Sequence, residues 1–186
     1  PAVRPLGRRG PRVVRVTAQS EPAPEVQGSV GEFHPLWLEI VEAGPTGASG
    51  LWTELVARYH YAGYRVPVGA TLRYLVRSAR CPEQVLACLA WTSAAWKMAV
   101  RDRWIGWTEA QRRRNLPYIV NNSRFLILPW VHIRGLASTI LARCARQLPA
   151  EWEARYGYRP LLLETLVDPA RFRGTCYRAA NWIPFK

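Results

Sequence analysis

The longest amphipathic stretch of this sequence lies between two apolar runs, and that order limits the folds open to the chain. Residues 134–158 carry apolar side chains at helical spacing, which predicts one buried face. That face consists of Leu136, Ile140, Leu141, Cys144 and Leu148. The run "SRFLILPWV" before the helix and "RPLLLETLV" after it are typical of strands, the first of them central. Gly157 predicts the end of the helical region, and Pro149 predicts an earlier break or kink.

Shorter patterns predict further elements around these three. The runs "HPLWLEIV", "ATLRYLVRSA", "QVLACLAWTSAAW" and "MAVRDRWIGW" are typical of strands. "LWTELVARYHYAGY" predicts a helix that stops near Gly63, and Thr108 predicts the N-cap of a short helix that Pro117 limits. "DPARFRGTCYRAANW" predicts a last helix with Pro169 near its first turn. This order predicts an α/β or α+β fold with a mixed central sheet flanked by helices.

Composition divides the chain into an arm and one domain. Residues 1–32 are rich in Arg, Pro, Gly and Glu without a sustained apolar period, which predicts a flexible arm. Residues 33–186 then form a single folded domain, as expected for 186 residues. No run of about 18 apolar residues and no apolar signal segment occurs, so we expect a cytoplasmic protein without a membrane partner. The four cysteines form no CxxC pair, which predicts free thiols and no metal.

The formal net charge of +13 favours a polyanionic partner, and nucleic acid first. Of the 26 basic residues only Lys97 and Lys186 are lysines. Arginine binds phosphate through two parallel hydrogen bonds, which suits such a partner. The alternative is that arginine richness simply reflects a G·C-rich genome.

Three side chains are candidates for acid–base catalysis. His60 titrates near neutral pH in its ordinary state, so it could act as a general base or contact a nucleobase; the alternative is a side chain that closes a helix. Tyr61 is a candidate stacking platform or proton donor, or else part of the core. Glu164 lies inside an apolar strand, where a carboxylate must be paired, protonated or at a site. A buried ion pair with an arginine is the alternative for Glu164.

A second group of side chains suits nucleic-acid contacts. Asn121, Asn122 and Arg124 are predicted to precede the central strand, and amides and guanidinium groups hydrogen-bond bases and phosphates. The Asn-Asn pair is also a common turn sequence. Near the C-terminal end of the sequence, Arg178 and Asn181 are further candidates for nucleic-acid binding.

The turn "HIRGLA" before the long helix resembles the coenzyme A loop of the GNAT acyltransferase fold. Gly135 and Ala137 match that loop in register, Ser138 follows in the first helical turn, and His132 stands where the family has Arg or Gln. The resemblance implies a GNAT-like sheet and an acyl-CoA-like cofactor held by amides at a helix N-terminus. Without it, the cofactor is unknown and Gly135 is a turn residue.

A longer resemblance covers residues 35–184. The matching strings are "RYHYAGY", "LRYLV", "AAWKMAVRDRWIGW", "RRRNLPYIVNNSRFLILPWV", "LAS" and "FRGTCYRAANW". They are similar to the DruA family of the Druantia anti-phage systems, whose domain also occurs fused to transposases. The resemblance implies a nucleic-acid partner and partner proteins from a defence system or a transposase. Because the family pattern continues past Trp182 into a Gly/Arg-rich segment, it also implies a domain shortened at its C-terminus.

Two functions follow from these resemblances. The phage Mu Mom DNA-modification protein is GNAT-like and has a His-Tyr motif similar to His60-Tyr61. In the GNAT pattern, the tyrosine that Tyr177 matches donates a proton to the leaving thiolate. The leading interpretation is a GNAT-like group transferase that acts on DNA in antiviral defence or in a mobile element. The alternative is a non-catalytic DNA-binding module, and whether the chain is an enzyme stays open.

Overall fold

The structure is a computed structural model, and it describes residues 14–42, 44 and 47–185. Residues 1–13 of the predicted arm lie outside the described residues. In chain order the strands and helices are β1 (Val26–Ser29), β2 (Leu36–Ile40), α1 (Gly47–Tyr59), β3 (Thr71–Ser78), β4 (Ala87–Ser93), α2 (Ala99–Ile105), α3 (Glu109–Asn115), β5 (Ile119–Ile127), β6 (Val131–Arg134), α4 (Leu136–Tyr156), β7 (Leu162–Thr165) and α5 (Thr175–Ala179).

A five-stranded mixed sheet with the strand order β2-β3-β4-β5-β7 forms the centre of the fold. Neighbouring strands are antiparallel except for β5 and β7, which are parallel and joined through α4. A separate two-stranded sheet pairs β1 with β6 in parallel. The predicted mixed sheet flanked by helices is therefore confirmed, with β5 inside the sheet.

The long helix α4 buries the predicted apolar face against the core. Its buried residues include the five predicted ones together with Trp152. The helix runs through Pro149 to the left-handed C-cap Gly157, so the predicted break is wrong. A proline inside a helix costs about 3 kcal/mol. Leu148 and Trp152, on either side of Pro149, are fully buried, and their packing offsets this cost.

The run "MAVRDRWIGW", predicted as a strand, is instead helix α2, which ends at the left-handed Gly106. The buried side of this helix carries Arg101, which bonds to its neighbour Asp102 and to Glu164, a residue distant in sequence. The predicted cap of the following helix is confirmed, because Thr108 Oγ1 accepts a hydrogen bond from the Gln111 amide at 3.3 Å. The last helix is shorter than predicted and begins only at Thr175.

Ordered structure begins ahead of the predicted boundary at residue 33. Strand β1 pairs with β6, and Phe33 is buried in the core. The Glu54 carboxylate on α1 accepts hydrogen bonds from the Thr17 amide at 2.7 Å and from Gln19 Nε2 at 2.7 Å. The described part of the predicted arm is thus attached to the sheet domain through β6, α1 and Arg80.

Candidate functional site

The edge strand β7 ends partway along its parallel neighbour β5. All four residues of β7 pair with residues 119–122 of β5, whereas β5 continues to Ile127. A cavity of about 450 Å³ lies beside β5 at the opening beyond the end of β7. Its walls come from the end of α1, the second half of β5, the first turn of α4, the loop after β7 and α5. Five predicted site residues line it: His60, Tyr61, Asn122, Ala137 and Tyr177.

A β-bulge shapes strand β5 at this point. Asn122 pairs with Trp91 and Arg124 pairs with Ala90, so Ser123 is an extra residue without a partner on β4. The Ala90 carbonyl accepts hydrogen bonds from Asn122 Nδ2 at 3.2 Å and from Ser123 Oγ at 3.4 Å. Asn122 Nδ2 also donates to the Arg124 carbonyl at 3.1 Å. The Asn122 amide group therefore holds the bulge together.

Tyr177 connects α5 to that bulge. Its hydroxyl donates to Asn122 Oδ1 at 2.8 Å and accepts from Thr165 Oγ1 at 3.3 Å. Trp182 packs edge-on against the Tyr177 ring, with 5.2 Å between the ring centroids. Burial raises the pKa of Tyr177 to about 12, so the phenol is neutral at neutral pH. Tyr177 is held in a fixed position on the cavity wall, with its proton donated to Asn122.

His60 and Tyr61 form an aromatic pair at the end of α1. Their ring centroids are 4.7 Å apart, and Phe172 lies 5.2 Å from Tyr61 on the loop before α5. His60 Nδ1 accepts a hydrogen bond from the Ala62 amide at 3.1 Å. Burial lowers the pKa of His60 to about 4, and the Arg124 charge acts in the same direction. His60 is thus a neutral imidazole whose hydrogen bonding assigns the proton to Nε2, which suits a donor better than a general base.

Glu164 and Asn121 are not brought to this cavity. They are paired neighbours on β7 and β5, one residue from Thr165 and Asn122, so their side chains point to the opposite face of the sheet. Glu164 Oε1 lies 3.3 Å from Nη1 of Arg101, whose side chain is fully buried. Burial raises the pKa of Glu164, and the Arg101 charge partly opposes this shift. The alternative considered from the sequence, a buried ion pair, is the arrangement found.

Of the three residues predicted to bind a cofactor, only Ala137 faces the cavity. Gly135 is the left-handed N-cap of α4, and a Cβ there would lie 3.3 Å from Val30 Cγ1. Its missing side chain therefore makes room for Val30 of this same chain. Ser138 Oγ donates to the Gly135 carbonyl at 3.1 Å. These residues fit the predicted acyl-CoA-like cofactor only in part, and we derive no step through it.

The residues predicted to contact nucleic acid do not lie together in the structure. Arg124 lines a second cavity, of about 160 Å³, next to the larger one. Arg178 and Asn181 are exposed on and after α5, and Asn181 is left-handed with a φ of 62°. Sequence reasoning missed Arg65 and Arg73 in the second cavity. The sequence marks these two residues only weakly: Arg65 follows the turn at Gly63, and Arg73 lies within β3.

The described residues contain no group of three or more His, Cys, Asp or Glu side chains placed to hold a metal ion. Within the same ranges, no helix has the length and apolar character needed to cross a membrane.

Fold and site together define a mixed α/β protein with a cavity beside β5 beyond the end of the edge strand β7. The model of one protein family, described as Druantia protein DruA, matches residues 8–185. The chain belongs to the DruA family, which places it in an anti-phage defence context. The match begins well before residue 33, in agreement with the ordered N-terminal segment. Neither the curated proteins nor the solved structures contain a significant match.

Proposed function

We propose that this protein acts on DNA during anti-phage defence, as a GNAT-like group transferase whose site is the cavity between β5 and β7. The observation that carries the proposal is the convergence of Tyr177, His60 and Tyr61 on this cavity, from elements far apart in sequence. Its volume of about 450 Å³ falls within the range of roughly 300–1,000 Å³ typical of ligand sites.

Topology supports the GNAT-like part of the proposal. Antiparallel strands β2, β3 and β4 lead to the parallel pair of β5 and β7, which α4 connects. The cavity beyond the end of β7 reaches the first turn of α4, where Ala137 lies on its wall. A group placed in the opening would meet the positive end of a 21-residue helix.

The side chains of the cavity suit a nucleobase or a similar planar group. Tyr61 and Phe172 supply aromatic surfaces at its wall, and base–aromatic stacking contributes about 1–3 kcal/mol per base. Tyr177 and His60 are neutral at neutral pH. His60 Nε2 supplies a hydrogen-bond donor, whereas the Tyr177 proton is already donated to Asn122 and leaves the phenol oxygen as an acceptor. The His60 donor would orient a bound group and stabilise negative charge that develops on it. The net charge of +13 supports DNA as the molecule that carries the group.

Mass spectrometry of nucleosides tests this function directly. DNA from cells that express the wild-type protein would be digested to nucleosides and compared with DNA from cells expressing Tyr177→Phe. We expect a nucleoside of increased mass with the wild type and its loss or strong reduction in the variant. Tyr158→Phe, which changes a tyrosine outside the cavity, is the matched control. Unmodified DNA in all samples, together with no DNA binding at about 50 mM salt, contradicts the proposal.

A second candidate, a non-catalytic DNA-binding module, is favoured by one observation. The Tyr177 hydroxyl and the Asn122 amide already bond to each other, and the pKa of His60, at about 4, is far from neutral. A cavity with these properties suits binding better than proton transfer. DNA binding retained in both Tyr177→Phe and His60→Ala, without a mass change in any sample, is the result expected of such a module.

A further inference from the structure

A smaller cavity of about 160 Å³ lies beside the proposed transferase site, and its described walls contain three arginines and no carboxylate. Arg65 comes from the loop after α1, Arg73 from β3 and Arg124 from β5. We call this smaller cavity, with its three arginines, the arginine cavity.

Two of the three guanidinium groups are held in place by neutral oxygen atoms. Arg73 donates to Ser49 Oγ at 3.1 Å, and its guanidinium carbon lies 5.3 Å from the centre of the Trp52 ring. Arg124 donates to the Gly63 carbonyl at 3.0 Å and to the Ser123 carbonyl at 2.6 Å. These contacts fix the orientation of each group without neutralising its charge.

Three other buried or half-buried arginines have carboxylate partners, whereas the half-buried Arg143 donates to the Leu36 carbonyl. Arg77 pairs with Glu39, and Arg112 pairs with Asp102. Arg101, which is fully buried, pairs with Asp102 and Glu164. Near the arginine cavity, the Glu42 carboxylate forms its ion pair with Arg155 instead. Arginines that are fixed but not neutralised are what an anion-binding site requires.

The environment of the arginine cavity disfavours its own positive charge. Burial lowers the pKa of Arg73, and burial together with the nearby Arg65 charge lowers the pKa of Arg124. An anion in the cavity would relieve both effects. Arginine and phosphate form two parallel charged hydrogen bonds, which makes phosphate the best-fitting anion.

The arginine cavity adjoins the larger one. Ser123, the extra residue of the β-bulge, lines both, and the Arg124 charge acts on His60 in the larger cavity. We propose that the arginine cavity binds a phosphate group of the same ligand whose planar part enters the larger cavity. This inference rests on the proposed function in that it assumes a ligand in the larger cavity. The phosphate belongs either to the DNA backbone or to a nucleotide-type group donor.

Arg65→Gln is the informative variant. Arg65 is exposed and forms no ion pair within the described chain, so its loss does not disturb the fold. Arg146→Gln is the matched control, because it removes one exposed positive charge from α4, away from both cavities. Binding of a labelled single-stranded oligonucleotide would be measured by fluorescence anisotropy over a series of salt concentrations.

We expect Arg65→Gln to bind the oligonucleotide about tenfold more weakly and to lower the slope of log affinity against log salt by about 0.7. Arg146→Gln should stay within about twofold of the wild type. An oligonucleotide with an uncharged methylphosphonate backbone should bind all three proteins equally. Titration with coenzyme A and with ATP forms a second arm, in which a loss specific to Arg65→Gln assigns the phosphate to a group donor.

Equal behaviour of Arg65→Gln and Arg146→Gln toward the oligonucleotide and both nucleotides overturns the inference. If the wild type still binds DNA in that case, the proposed function survives it. If the wild type binds no DNA at about 50 mM salt, the proposed function itself fails.

Discussion

The hydrogen bond between Tyr177 and Asn122 can be tested through its contribution to stability. Tyr177→Phe removes the hydroxyl that lies 2.8 Å from Asn122 Oδ1, and Asn122 is only 5% exposed. A typical hydrogen bond contributes about 0.5–1.5 kcal/mol, and a buried acceptor left without a donor costs about 1–3 kcal/mol. The variant also removes the Tyr177 oxygen to which Thr165 Oγ1 donates. Because Thr165 Oγ1 can still donate to the Asn122 carbonyl at 3.4 Å, this second change adds little to the cost. We therefore expect the free energy of unfolding to fall by about 2 kcal/mol.

Urea unfolding followed by tryptophan fluorescence measures this change. With an m-value of about 2 kcal/mol/M, the midpoint should fall by about 1 M urea. The control Tyr158→Phe, whose ring packs on Trp152, should change the free energy of unfolding by less than about 0.5 kcal/mol. A double-mutant cycle with Asn122→Ala should give a coupling energy of about 1–2 kcal/mol. Additive single changes, or a Tyr177→Phe effect equal to that of the control, would refute the reasoning.

Three further predictions concern other parts of the fold. Thr108→Ala removes the cap of α3 and should lower the free energy of unfolding by about 1 kcal/mol in urea titrations, whereas Thr108→Ser should preserve it. Arg101→Leu leaves Glu164 buried without its positive partner and should cost about 3–5 kcal/mol at neutral pH; a cost below about 1 kcal/mol would show that the pair is unimportant. The pKa of His60, at about 4, lies below its unfolded value of 6.5, so the stability it contributes is complete above pH 6.5 and is lost as the pH falls toward 4. Urea midpoints between pH 7 and pH 5 should thus fall more for the wild type than for His60→Gln, and parallel curves would contradict the low pKa.

Local patterns predicted most of the sheet and its longest helix. The apolar face of α4 and its end at Gly157 follow from spacing and from a glycine at the C-cap. Helix α2 was predicted as a strand because short apolar runs do not distinguish the two structures. In the structure, Arg101 of α2 forms an ion pair with Glu164, which is 63 residues away. No local sequence pattern predicts such a long-range contact.

The candidate site, too, could be predicted only in part from local sequence patterns. The sequence predicts His60 from its chemistry and Tyr177 from the GNAT resemblance, and the structure places both on one cavity. Strand alternation separates Asn121 from Asn122, because neighbouring residues of β5 point to opposite faces. Arg65 and Arg73 could not be predicted as a pair, since only the packing of β3 against the loop after α1 brings them together.

The β-bulge at Ser123 has a consequence for how this family can diversify. Asn122 and Arg124 pair with the consecutive residues Trp91 and Ala90, so the bulge places them on opposite faces of the sheet, whereas residues two apart in a regular strand share one face. Deleting Ser123 would leave both pairs in register and both side chains on their own faces, but it would remove the residue that lines both cavities. Relatives without this extra residue would therefore keep the sheet and the side chains of each cavity but lose the wall that the two cavities share.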